Sequence, residues 1–269
     1  MKTRYSKVFK NLKKNREGCF IPFVMLGDPN FNVSIKIINN IINQGVDAIE
    51  LGIPFSDPLA DGPIIQNSSF RAIKSNITLK KCFDILKILR KNYNDIPIGL
   101  LTYANLVFSN GIKQFYQKCK DVDLDSILIV DVPIEESDLF YKNAIENKIS
   151  QIFICPPNIG NSNLKKIINM STSYIYLLSR SGVTGINNKI FFDLSKILNK
   201  IKKMSSIPII QGFGICSEIQ IKNILNSKID GVICGSIIVK QIEKYLHNEK
   251  KMIEKINNLT KRFKMCTKI

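Results

Sequence analysis

One histidine, no tryptophan and no CxxC pair occur in the 269 residues of this chain. The lone His247 lies in a polar stretch near the C-terminus, so a zinc or iron site built on imidazole would lack a second ring. Seven cysteines (Cys19, Cys82, Cys119, Cys155, Cys216, Cys234 and Cys266) are an odd number. Most sit in apolar or helical contexts, which suits free thiols in a reducing compartment. No apolar run approaches the roughly 20 residues of a membrane span. The opening segment MKTRYSKVFKNLKKNREG is basic, without a continuous apolar core or a small-residue cleavage site, and is not read as a secretory signal. Tyr5, Val8, Phe9 and Leu12 instead fit the apolar stripe of a short helix. A cytoplasmic location is expected.

What is abundant is positive charge. A net charge of +17 invites a nucleic-acid reading. Lysine, asparagine and isoleucine are plentiful throughout, however, in the way of an AT-rich coding sequence. The lysines fall mainly on predicted outer helix faces and are not interleaved with aromatics as base-stacking platforms require. Neither nucleic acid nor membrane is expected as a partner, although such a surface attracts anionic substrates.

Short β-branched runs alternate with helical patterns of roughly ten to fifteen residues. Strands are predicted at 19–26, 47–52, 96–103, 125–132, 151–157, 174–179, 207–214 and 231–235. Helical patterns include 33–45, 79–92, 135–148 and 217–228. Almost wholly apolar strands belong to a parallel sheet covered by helices. Eight βα units predict an α/β fold, the (β/α)8 TIM barrel, with an extra N-terminal helix and a C-terminal helix near 249–265. An open doubly wound sheet is the alternative, but it normally carries GxGxxG after its first strand, where this chain reads MLGDPN. No linker or repeat divides residues 1–269, which read as a single domain.

Barrel enzymes work at the C-terminal ends of their strands. There the segment ELGIPFSDPLADG, from Glu50 to Gly62, sets a carboxylate at a strand end before a loop bearing Asp57 and Asp61. A fixed acid facing one on a loop suits a reaction in which one proton leaves while another arrives. Each has a plainer reading: Glu50 as a strand-end acid paired with a lysine, Asp61-Gly62 and Asp57-Pro58 as turn chemistry. Gly185, the GFG of Gly212–Gly214 and the pair Gly235–Ser236 ahead of a helix could cradle a phosphate. They could also simply turn tight corners. Phe23, Leu101, Leu128, Ile154 and Tyr176 would line an apolar cup if they point inward, and would otherwise pack the core. Tyr103, Phe213 and Ile233 join the substrate-binding candidates.

The stretches FIPFVMLGDP (20–29), ELGIPFSDPLADGPIIQ (50–66), PIGLLTYANLVFSNG (97–111), DVPIEES (131–137), IFICPPN (152–158), YLLSRSGVTG (176–185), QGFGI (211–215) and GSIIVK (235–240) together resemble the tryptophan synthase alpha chain family. The resemblance covers nearly the whole chain. It implies cleavage of indole-3-glycerol phosphate to indole and glyceraldehyde 3-phosphate, and an α2β2 assembly with a beta chain that holds pyridoxal phosphate. No cofactor or metal is implied for this chain, since indole protonated at C3 is its own electron sink. By resemblance Glu50 shuttles the proton and Asp61 faces the indole N–H. Gly185, Gly214, Gly235 and Ser236 match the phosphate site, and Phe23, Leu101 and Tyr176 the indole pocket. Thr184 matches the residue that meets Asp61 on loop closure, and Pro54, Asp57 and Pro58 a surface facing the beta chain. Val130 and Cys234 depart from the pattern, standing where smaller or small polar residues are expected. Two other readings stay open: a non-catalytic activator of the beta chain, and another phosphate-binding barrel isomerase or aldolase.

Overall fold

The structure, a computed structural model, describes residues 3–179 and 194–268. Among these, nine strand segments all pair in parallel: β1 (Cys19–Met25), β2 (Ile49–Gly52), β3 (Ile98–Thr102), β4 (Ser126–Ile129), β5 (Ser150–Ile152), β6 (Ile154–Cys155), β7 (Ile175–Leu178), β8 (Ile209–Gly212) and β9 (Gly231–Cys234). Their order is β5-β4-β3-β2-β1-β9-β8-β7-β6. The two ends of that series are consecutive pieces of one chain segment, so the sheet closes on itself as a TIM barrel. The doubly wound alternative is excluded.

The expected fifth strand, 151–157, is where reading and structure differ. It starts one residue earlier and breaks at Phe153 into β5, which follows β4, and β6, which follows β7. Pro156 and Pro157 have no N–H to continue the ladder, so it ends at Cys155. Every strand residue but Ile154 is buried, as a sheet sheathed in helices requires.

The predicted terminal helices are both present. Helix Arg4–Asn15 is capped by the Thr3 side chain, which accepts from the Ser6 N–H. Tyr5 and Leu12 are buried, with Val8 and Phe9 packed beside them. The Tyr5 hydroxyl meets Ser126 Oγ at 3.0 Å and its ring stands edge-on to Tyr174, so this helix plugs the N-terminal end of the barrel. Helix Glu249–Met265 packs Phe263 edge-on against Phe20. Its Lys264 places Nζ 2.8 Å from both Asp47 carboxylate oxygens.

Asp125 fastens the plugged end. Its carboxylate accepts from Arg4 Nη1 at 3.1 Å, Arg90 Nη2 at 2.6 Å and the Ile98 N–H at 2.8 Å. Arg90 also donates to the carbonyls of Tyr93, Ile96 and Asp123. Replacing Asp125 with Ala would strand a largely buried guanidinium, and the expected loss is about 3–5 kcal/mol of unfolding free energy. Urea denaturation measures it; a loss below about 1 kcal/mol would be the signature of an ordinary surface pair.

Candidate active site

The C-terminal end of the barrel holds a cavity of roughly 620 Å³, counting its open mouth. Register explains who lines it. Phe23 in β1 pairs with Glu50 in β2, so the two side chains enter side by side, and Leu101 and Tyr176 come from β3 and β7. Asp61 enters from the loop after β2. That loop is turned by the Asp61 N–H bonding the Pro58 carbonyl at 3.0 Å. The plainer turn-forming role of Asp61 is therefore real and coexists with its place in the cavity wall.

The two carboxyls differ in their surroundings. Glu50 is 3% exposed and has neither hydrogen bond nor ion pair among the described residues. The paired lysine of its plainer reading is absent there. Burial first, and the nearby charge of Asp61 second, push its carboxyl up to about 8. Asp61 is also buried, but it accepts a hydrogen bond from the Tyr103 hydroxyl at 2.8 Å. Burial raises it to about 6, with the Tyr103 bond pulling the other way. Near neutral pH the site thus holds one protonated and one ionised acid.

Opposite the acids lies the glycine-rich end. Gly235 precedes the helix Ser236–Lys244, and both Gly235 and Ser236 line the cavity with Gly214. Phe213 (φ 70) and Gly214 (φ 74) are both left-handed, an arrangement that turns the chain sharply after β8. A Cβ at Gly212 would come within 2.1 Å of the Tyr176 hydroxyl, and one at Gly235 within 2.9 Å of the Phe23 ring. Gly212 and Gly235 therefore make room for the aromatic walls, and Gly235 with Gly214 puts backbone at the cavity surface, where N–H groups can meet an anion.

The remaining candidates divide between the cavity and other places. Phe213 and Ile233 line the cavity. Tyr103 stands behind Asp61, stacked on Phe55 with centroids 5.0 Å apart. Leu128 is core, paired with Leu101 and Ile152, and does not line the cavity. Ile154 faces a neighbouring cavity between β4 and β6. Thr184 and Gly185 lie outside the described residues. Pro54 and Pro58 are buried in this chain, whereas Asp57 and its neighbour Leu59 are exposed. Of the two departures, Val130 is in the wall and Cys234 is buried behind it. Ala60, Ile65, Ile215 and Cys216 were missed as lining residues. Their position beside Asp61 or the GFG turn was the available signal.

The sequence model of the family described as "Tryptophan synthase alpha chain" matches residues 9–268. The chain belongs to the tryptophan synthase alpha chain family. It is 54% identical over 267 residues to the alpha chain of Buchnera aphidicola subsp. Baizongia pistaciae, covering 99% of each. It is 46% identical over 265 residues to that of Escherichia coli O17:K52:H18, covering 98% of this chain and 99% of the relative. Among solved structures, a chain of the tryptophan synthase a2b2 complex from Pyrococcus furiosus superposes with a TM-score of 0.82 at 32% identity, over 92% of this chain and 98% of that one.

An unpaired buried carboxyl leaves a mark on stability. The folded chain keeps the Glu50 proton up to about pH 8, whereas the unfolded chain releases it near 4.5. Stability from this group is complete below the lower value and falls as pH rises through the upper one. Glu50→Gln is expected to melt above the parent by a margin that widens from about pH 5 to about pH 9. Differential scanning calorimetry reads this directly, and a margin indifferent to pH would mean that the carboxyl is solvated.

Proposed function

We propose that Glu50 and Asp61 drive the retro-aldol cleavage of indole-3-glycerol phosphate to indole and glyceraldehyde 3-phosphate. This is the alpha reaction of L-tryptophan biosynthesis, and the chain is the lyase of its family. The observation that carries the reading is the meeting of two buried carboxyls, Glu50 without a partner among the described residues and Asp61 bonded by Tyr103, in one apolar slot whose other end is glycine-rich.

The chemistry follows from that pairing. Protonated Glu50 gives its proton to indole C3, the ring carbon bearing the glycerol side chain. Positive charge then develops on the ring nitrogen, and ionised Asp61 stabilises it through the indole N–H. The carboxylate now present at Glu50 takes the proton of the side-chain hydroxyl next to the ring. The electron pair left on that oxygen forms the C=O of the aldehyde, the carbon–carbon bond breaks, and its electrons return to the ring to neutralise the nitrogen. Glu50 ends as it began, protonated, and protons and electrons balance. The ring is its own electron sink, so the route calls for no cofactor in this chain; pyridoxal phosphate belongs to the beta partner. Phe23, Leu101, Tyr176, Phe213 and Ile233 would hold the flat ring, and Gly214, Gly235 and Ser236 the phosphate. Thr184 and Gly185 are assigned to loop closure and phosphate binding on family resemblance.

A beta chain in an α2β2 tetramer is the partner this reading supplies. Leu59, 82% exposed on the loop that carries Asp61, together with Asp57 offers a surface that such a partner would cover. Pro54 and Pro58, buried here, hold the shape of that loop. Among the described residues no helix is long and apolar enough to cross a membrane, and the cytoplasm is the proposed location.

Losing a positioned acid or base costs about 10²–10⁴ in rate. Glu50→Gln and Asp61→Asn are each expected to fall by that much in indole release from indole-3-glycerol phosphate, with or without beta chain; near-normal release from either variant refutes the assignment. The pH profile of kcat/KM should rise near 6 as Asp61 ionises and fall near 8 as Glu50 loses its proton. Tyr103→Phe removes the bond that favours ionised Asp61, so only the rising limb should move, toward higher pH. An unmoved limb would detach that limb from Asp61.

A further inference from the structure

Outside the cavity, Arg71 sits where three segments that build it converge. Its guanidinium forks onto Asp28, with Nε–Oδ1 and Nη2–Oδ2 both 2.8 Å, at the end of the β1 segment that supplies Phe23. Its third nitrogen, Nη1, reaches Glu243 Oε1 at 3.2 Å. Asn67, one turn earlier on the same helix, donates to the same Glu243 oxygen at 3.1 Å. The Asp28 side chain is 0% exposed and that of Arg71 is 17% exposed, so this is a largely desolvated fork and not a loose surface pair.

The two helices joined at Glu243 carry the two ends of the site. Helix Pro63–Lys74 begins immediately after Asp61-Gly62, and Gln66 Nε2 donates to the Asp61 carbonyl at 2.8 Å, so Asp61 moves with that helix. Helix Ser236–Lys244 begins at the proposed phosphate site, with Glu243 in its last turn. Buried Ser68, Ser69 and Ala72 keep the first helix close to its neighbours. We propose that Arg71 is a positioning residue for the cleavage reaction: by bridging Asp28 and Glu243 it sets the span between Asp61 and the glycine-rich end that the substrate must fit. This rests on reading the cavity as the cleavage site. An error of about 1 Å in such a span can cost about 10² in rate. Lysine at this position keeps the charge but cannot fork onto one carboxylate while reaching a second.

The test compares Arg71→Lys, Arg71→Met, Glu243→Gln and the Arg71→Met/Glu243→Gln pair, each assayed well below its own melting temperature. A clamp predicts that kcat falls roughly tenfold in Arg71→Lys while KM changes less than about threefold, because the phosphate end is intact in every variant. It also predicts that Glu243→Gln lowers kcat and that the double variant is no worse than Arg71→Met alone. Parental kcat in folded Arg71→Lys, losses that merely follow the folded fraction, or additive losses would each overturn the inference. A parent chain that releases no indole overturns the cleavage reading and this inference with it. An active parent with an unimpaired Arg71→Lys overturns the inference alone.

Discussion

A carboxyl group buried without a cation is the constraint on which this molecule is built. Asp28 is neutralised by Arg71, Asp47 by Lys264, and Asp125 by Arg4 and Arg90, while buried Asp61 is held by the Tyr103 hydroxyl. Glu50, with no such partner among the described residues, faces an apolar slot and a second acid. Burial of an uncompensated charge is costly enough that the group holds its proton instead. A carboxyl that is an acid near neutral pH, and becomes a base once it has given its proton away, suits the shuttle role proposed for Glu50. The instability of the ionised form and the reactivity of the site share one physical origin.

That constraint governs how the rest of the barrel end is assembled. The slot has to stay dry on the acid side, which is why Phe23, Leu101 and Tyr176 crowd it. The crowding in turn leaves no space for side chains at Gly212 and Gly235. Gly235 also brings backbone to the cavity surface, so one steric requirement serves both ends of the slot. The left-handed conformation of Phe213, unfavourable for a residue with a Cβ, is the local consequence of turning the chain within that space while its ring stands edge-on to Tyr176 at 5.9 Å.

Much of this was legible in residue order, because the features concerned are local. Apolar runs with turn chemistry between them located all eight barrel strands, and the Glu50–Gly62 segment and the GFG turn marked both ends of the cavity. What escaped depends on depth and bend. Leu128 and Val130 share a strand-face parity, yet Val130 lines the cavity and Leu128 lies in the core, a difference of one step along the barrel axis that periodicity does not encode. Ile154 turned toward a neighbouring cavity because the segment breaks at Phe153, where it must follow β4 on one side and β7 on the other. Tyr103 was legible as a strand-end aromatic. Its part in holding Asp61 required the fold of the intervening loop.

The charge balance of the chain fits the same account. Despite a net charge of +17, no Lys, Arg or His is among the described residues lining the cavity. A lysine at the phosphate end would hold an anion strongly, but in a low-dielectric slot its field would reach both carboxyls and favour their ionised forms. Glu50 would then lose the proton that the proposed cleavage draws on. Backbone N–H groups and a helix N-terminus hold a phosphate through short-range dipoles that fall off within about a turn of helix. The cationic exterior can meanwhile draw an anionic substrate from a distance without standing next to the acid. Glycine at that end is thus the counterpart of a protonated glutamate at the other.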